Sequence, residues 1–278
     1  MEITWTNAQK QRLAAFEAGA DCLNKTFSST VERNRSFLEL EKELVAAAKK
    51  QLCRLREETK RPLLSRMESE LVSALTRAGF VQVSTPIMMS RRLLARMNIT
   101  EKHRLFDQVY WVSKNKSLRP MLAPNLYYLL VDLLRLWEKP VSIFEIGSCF
   151  RKESRGAQHL SEFTMLNLVE MGLPLEQRWS RLKELAALVV ETAGIVRYEL
   201  VTASSEVYGE TVDVVCGELE LGSGAMGPHP LDIPWGITEN WVGLGFGLER
   251  LAMAARKSNN IKSYAKSLSY LDGVRLNI

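Results

Sequence analysis

Arg151 and Glu153 stand two residues apart at the end of an alternating apolar run, and Phe163 and Asn167 lie in a second run beyond a polar loop. Side chains two apart on a strand share a face. Arg151 and Glu153 therefore project together, as do Phe163, Met165, Asn167 and Val169. A hairpin between the runs would set Arg151, Glu153 and Phe163 on one wall. A guanidinium forks onto phosphate oxygens while staying charged. A carboxylate accepts from the amino group of adenine, and a phenyl ring stacks on the base. Taken alone, Arg-x-Glu is more readily a surface ion pair. The parity of Phe163 and a second cluster, GLGFGLER at 243–250, favour a ligand instead. A dinucleotide turn would need glycine at 248, where Leu248 stands. Glycines at 243, 245 and 247 fit a strand stripped of side chains so that a ligand approaches its backbone. Arg250 would then emerge at a helix start, facing the base and a terminal phosphate. The set reads as an ATP site on an antiparallel sheet, suited to adenylation. A carboxylate attacks the α-phosphorus, Arg151 stabilises the charge that builds on oxygen, and the ionised nucleophile needs no general base.

The elements that position these residues follow from periodicity. Residues 5–19 and about 31–57 read as helices, with Leu44, Ala48, Leu52 and Leu55 at helical spacing. Pro62 suits the first turn of another helix, striped by Leu64, Met67, Leu71, Leu75 and Ala78 and stopped at Gly79. FVQVSTP (80–86), FDQVYWV (106–112) and SIFEIGSCFR (142–151) read as strands, and 123–138 as a helix. A strand at 163–171, a helix at 175–193 and strands near 197–202, 211–216, 218–226 and 241–246 follow, with a last helix from Leu248. A helical N-terminal region (1–61) would precede a catalytic domain (62–278), and the fold class is α+β, an antiparallel sheet flanked by helices.

The chain has 278 residues, 46% of them hydrophobic and 25% charged, enough for one large core. Four scattered cysteines and three histidines give neither a disulfide framework nor a metal-ligand spacing. No leader or membrane-length apolar run is seen, so a cytoplasmic protein with neither membrane nor DNA partner is expected. The net charge is +5, and Lys49, Lys50, Arg54, Arg56, Lys60 and Arg61 fall within 13 residues, a solvated helix face or a surface for a polyanion.

Three segments resemble the signature motifs of class II aminoacyl-tRNA synthetases: GFVQVSTP (79–86), FRKE with HLSEF after the loop, and GFGLER. LRPMLAPNLY (118–127), IFEIGSCFRKES (143–154), HLSEFTMLN (159–167), VYGETVDV (207–214) and WVGLGFGLERL (241–251) are similar to the catalytic domain of the pyrrolysyl-tRNA synthetase family. The resemblance implies that Arg151, Glu153, His159, Leu160, Phe163 and Arg250 bind ATP, with Arg151 and Arg250 catalytic. It implies that Glu220 and Ser223 hold Mg²⁺, as hard oxygen ligands beside phosphates. Ala123, Leu126, Tyr127 and Leu130, an apolar helix face, would wall an amino-acid pocket with Val169, Trp241 and Gly243. Asn167 would bond the substrate's side-chain amide and Tyr208 would close over it. Val169 departs from the cysteine of archaeal members. The implied reaction is adenylation of pyrrolysine and its transfer to an amber-decoding tRNA by a homodimer. Lacking the fused N-terminal tRNA-binding domain of some archaeal members, the chain resembles the bacterial split type, with a separate tRNA-binding subunit as a possible partner. A synthetase paralogue with another acceptor, or a non-catalytic tRNA-binding protein, are the rival readings.

Overall fold

A computed structural model describes residues 2–152 and 160–277. Glu153 and His159, both expected at the nucleotide, lie outside the described residues.

The N-terminal part holds β1 (Ile3–Thr4), α1 (Asn7–Ala15), α2 (Ala20–Leu23), β2 (Thr26–Phe27) and α3 (Thr30–Arg54). The last turn of α3 widens into a π-turn at Leu55–Thr59. A capping box closes the start of α1: Thr6 Oγ1 accepts from Gln9 N–H, and Gln9 Oε1 accepts from Thr6 N–H. The expected 5–19 helix is shorter than its pattern, because the chain turns after Ala15 and restarts as α2. Trp5, Leu13 and Phe27 form a small separate core here.

Next come α4 (Leu63–Arg77), β3 (Val81–Gln82), β4 (Met88–Ser90), α5 (Arg91–Arg96), α6 (Arg104–Asp107), β5 (Trp111–Ser113), β6 (Lys116–Leu118) and α7 (Ala123–Leu136). Met67, Leu71 and Leu75 are buried as their spacing requires, and Gly79 ends the unit with φ +90°. The strand expected at 106–112 is corrected. His103 Nδ1 accepts from Leu105 N–H, capping a helical turn, and extended chain begins only at Trp111.

The rest comprises β7 (Val141–Phe150), β8 (Glu162–Met171), α8 (Arg178–Thr192), β9 (Glu199–Ser205), β10 (Gly209–Cys216), β11 (Leu219–Gly227), β12 (Trp241–Gly247), α9 (Leu248–Arg256), β13 (Tyr270–Leu271) and β14 (Val274–Arg275). Seven strands form one sheet in the order β3-β7-β8-β12-β11-β10-β9. The sheet is mixed rather than wholly antiparallel, since β3 pairs parallel to β7. The segment 83–140 supplies the crossover that a parallel pair requires.

Each face of the sheet has its own core. Phe144, Leu166, Leu168, Val242, Leu244, Phe246, Val212 and Val214 pack against α4, α8 and α9. Ile143, Val169, Met171, Ala225 and Trp241 face the other way, toward α5, α7 and a 3₁₀ turn at Pro230–Trp235. Among the described residues no helix is long and apolar enough to cross a membrane.

Candidate active site

The second face of the sheet opens into a cavity of about 560 Å³. Register explains its floor. Phe163, Met165, Asn167 and Val169 of β8 share one parity and all line it. Beside them Gly243, Gly245 and Gly247 of β12 pair with Val169, Asn167 and Met165. At Gly245 an added Cβ would meet nothing closer than Met165 Cε at 3.5 Å, so the missing side chain widens the cavity rather than relieving a clash. This is the expected stripped strand.

Arg151 follows the last residue of β7. Its Nε donates to Pro120 O at 2.9 Å, and its guanidinium carbon stands 5.2 Å from the Phe163 ring centre. Arg250 rises from the first turn of α9 and donates to Glu220 O at 3.1 Å, with Glu220 Oε1 at 3.2 Å. Leu160 joins the wall. Arg104, missed in the sequence, adds a third guanidinium to the lining, against the carboxylates of Glu220 and Glu249. The cationic excess suits a polyphosphate. Cys149 sits on the same strand, and burial pushes its thiol up to about 12, so it stays protonated and no nucleophile.

Glu220 and Ser223 are three apart and should face opposite sides of a regular strand. A bulge makes them share one. Val214 pairs with Gly222 and Val215 with Glu220, leaving Leu221 as the extra residue. Glu220 and Ser223 thus both point with Val215 and Asp213, into the cavity lining. A carboxylate and a hydroxyl fit a hard cation, yet no group of three or more His, Cys, Asp or Glu among the described residues could hold one. A Mg²⁺ here would need phosphate oxygens to complete its shell.

The deep end is apolar. Ala123, Tyr127, Val169, Tyr208, Trp241 and Gly243 line it as expected. Leu126 and Leu130 do not. They are fully buried in the layer behind, because on α7 the Ala123–Tyr127 row faces the cavity and the Leu126–Leu130 row faces the core. Asn167 is buried and its Nδ2 donates to Leu244 O at 2.9 Å, leaving Oδ1 as its acceptor. Tyr208 sits in the turn between β9 and β10, its carbonyl held by His229 Nε2 at 2.5 Å. Burial raises the pKa of both Tyr127 and Tyr208, so each remains a phenol.

Asp232 was not foreseen. It accepts from Trp241 Nε1 at 3.0 Å and lies 3.5 Å from the Tyr127 hydroxyl, fixing two walls of the pocket. Burial raises its pKa. The signal was a lone carboxylate among apolar residues in PLDIPW, although Asp232 also caps its own 3₁₀ turn by accepting from His229 N–H at 2.7 Å. Glu249 was likewise missed. Both its oxygens accept from Thr164 N–H at 2.9 Å, tying the start of α9 to β8.

Comparison with known proteins agrees with this geometry. The family model of the tRNA synthetases class II core domain (F) matches residues 49–273. A 96-residue stretch is 29% identical to the threonine–tRNA ligase of Wolbachia pipientis subsp. Culex pipiens, spanning 34% of this chain but only 15% of that ligase. The crystal structure of pyrrolysyl-tRNA synthetase from Desulfitobacterium hafniense superposes with a TM-score of 0.95 at 55% identity, covering 99% of each chain. A second structure from that organism, PylSc, gives 0.92 at 54% identity, covering 99% of this chain and 96% of the other. Taken with the glycine-stripped strand and the paired arginines, these likenesses show that the chain belongs to the class II tRNA synthetases and, within them, to the pyrrolysyl-tRNA synthetase family.

Proposed function

We propose that this chain is an ATP-dependent ligase that adenylates pyrrolysine and esterifies it to an amber-decoding tRNA. One observation carries the reading: a single cavity joins a cationic end, with Arg151 and Arg250, to a deep apolar end holding the Asn167 acceptor. The first end suits a nucleotide triphosphate. The second suits a long side chain that carries an amide. The amino acid's carboxylate oxygen attacks the α-phosphorus and pyrophosphate leaves. Arg151 offsets the charge gathering on the phosphoryl oxygens, so catalysis is positioning and electrostatics. Mg²⁺, held by Glu220, Ser223 and the phosphates, would neutralise triphosphate charge. Asn167 Oδ1 accepts from the side-chain amide N–H, and Tyr208 covers the ring.

The tRNA reading rests on the tail of α3 and the turn after it. Lys49, Lys50, Arg54, Arg56, Lys60 and Arg61 are all exposed there, as phosphate contacts must be. Residues 1–61 are proposed as the tRNA-contacting region and 62–278 as the catalytic domain. Arg91 and Arg96 serve differently, since Arg91 pairs with Glu101 at 2.6 Å and Arg96 covers the Trp235 ring. Exposed Val81, Ile87 and Met88 are proposed as a homodimer surface, and a separate small tRNA-binding subunit and a cytoplasmic setting accompany the reading.

Pyrophosphate exchange over an amino-acid panel tests the substrate. Exchange with pyrrolysine or a close lysine-amide analogue is expected. Brisk exchange with phenylalanine and none with those amides would overturn the assignment. Charging of the amber-decoding tRNA then tests the acceptor.

A further inference from the structure

The described residues hold one buried ion pair close to, but outside, the reacting groups. Arg119 Nη1 donates to Glu145 Oε1 at 2.7 Å, with side chains only 4% and 2% exposed. Burying two charges is costly unless every remaining polar atom is satisfied. Here the surrounding groups come from one segment. Thr85 N–H donates to Glu145 Oε1 at 3.0 Å, and Thr85 Oγ1 donates to Glu145 Oε2 at 2.7 Å. Thr85 O and Oγ1 each accept from Arg119 Nη1 at 3.1 Å, and Oγ1 also accepts from Asn125 Nδ2 at 2.8 Å. Thr85 immediately precedes the Pro86 that ends GFVQVSTP.

The other side of the knot reaches Arg151. Arg119 Nε donates to Ser148 O at 2.7 Å, and Arg119 O accepts from Phe150 N–H at 2.9 Å. The next carbonyl along, Pro120 O, accepts from Arg151 Nε. Gly147 makes room for this, since a Cβ there would strike the Arg119 guanidinium. Fixing Arg119 therefore fixes the carbonyl that aims Arg151.

We infer that Thr85, Arg119 and Glu145 form a positioning device that sets the Arg151 guanidinium for adenylation and ties it to the segment bearing the exposed Ile87 and Met88. The inference rests on the proposed role of Arg151 at the phosphates, and deepens it. None of the three residues lines the cavity. They act through Pro120 O, so their loss misplaces Arg151 without altering the amino-acid pocket.

The test uses Thr85→Val, which deletes the shared hydroxyl without leaving a new charge, and Thr85→Ser, which restores it. Two readouts are taken on the full chain. One is exchange of the Arg151 Nε–H in ¹⁵N spectra, assigned by its absence in Arg151→Lys. The other is pyrophosphate-exchange kinetics. In Thr85→Val the Nε–H should exchange at least roughly tenfold faster, and kcat should fall roughly tenfold while KM for the amino acid stays within about twofold. Thr85→Ser should recover both. Equal Nε–H protection and equal kcat in the Val and Ser variants would overturn the inference. A shared fall in stability with no change in kcat would reduce the network to a structural one, and overturn it equally. If wild type exchanges pyrophosphate with no amino acid, the functional reading fails, and the Nε–H measurement still decides whether Thr85 positions Arg151. Should Thr85→Val not fold, Thr85→Ala, which removes the same hydroxyl in a smaller side chain, takes its place, with Thr85→Ser again as the restoring variant and the same outcomes.

Discussion

Gly222 and Gly245 lie on adjacent strands and should answer an added methyl group in opposite ways. A Cβ on Gly222 would land on the Gly245 carbonyl oxygen and 2.6 Å from Phe246 Cδ1. Neither neighbour can retreat, since one is central-strand backbone and the other a fully buried ring. Overpacking of this kind costs about 1–3 kcal/mol. For a domain of this size 2 kcal/mol corresponds to roughly 4–8 °C in Tm. At Gly245 the nearest atom to the new Cβ is 3.5 Å away, an ordinary contact. Gly245→Ala should leave stability within about 0.5 kcal/mol. Its methyl, however, would stand between Ser223 and Asn167, with which Gly245 is in register. The ends of the cavity proposed for the phosphates and for the substrate's amide meet there. Gly245→Ala is therefore expected to lower kcat/KM by tenfold or more, equivalent to about 1.4 kcal/mol of transition-state binding. Urea denaturation and pyrophosphate exchange on both variants make the assay. A Gly222→Ala protein as stable as wild type would show that the β11–β12 pairing is looser than described. A Gly245→Ala protein of full activity would show that neither substrate crosses that strand.

Other expectations follow from the same site. Arg250→Ala should abolish pyrophosphate exchange with little change in Tm, because its partner Glu220 is half exposed and such pairs contribute about 0–1 kcal/mol; retained exchange would move the second arginine out of the mechanism. Asn167→Ala should change which amino acids are accepted, and an unchanged panel in the exchange assay would count against its role. Burial raises the pKa of Glu249, so the folded state favours its protonated form. The stability this group contributes is present below the unfolded carboxylate pKa and is lost as pH rises through the folded one. Glu249→Gln should thus match wild type in urea melts at acid pH and gain on it as pH rises; a gap that stays constant with pH would refute this.

The features that sequence made legible obey simple parity. Phe163, Met165, Asn167 and Val169 share a face because β8 is regular over its whole length. The glycines of β12 could be read as absences because three fell at one parity. What sequence hid depends on exceptions to parity or on distant partners. Glu220 and Ser223 meet only because Leu221 is an extra residue, and nothing local marks it so. The helix face at Ala123, Leu126, Tyr127 and Leu130 covers a wide arc, and which row meets the cavity is decided by what packs on the other. Asp232, Arg119 and Glu145 are polar residues in apolar runs, a pattern that signals burial but not the partner. The parallel β3–β7 pair requires a crossover whose destination a hydrophobic pattern does not contain.

The order of the sheet also has a history in time. β12 lies at its middle, between β8 and β11, yet it is the last of the seven strands in the sequence. While the chain is being made, the β7–β8 hairpin and the β9–β10–β11 meander can form first, each with an open edge. Only when residues 241–247 emerge do the halves join. Until then Phe163 and Asn167 belong to one body and Ser223 to another, and Arg250 follows later still. An interrupted chain therefore carries only part of the cavity's lining. It also leaves open the two strand edges that β12 covers in the complete sheet, those of β8 and β11, and open edges are the feature most prone to aggregation.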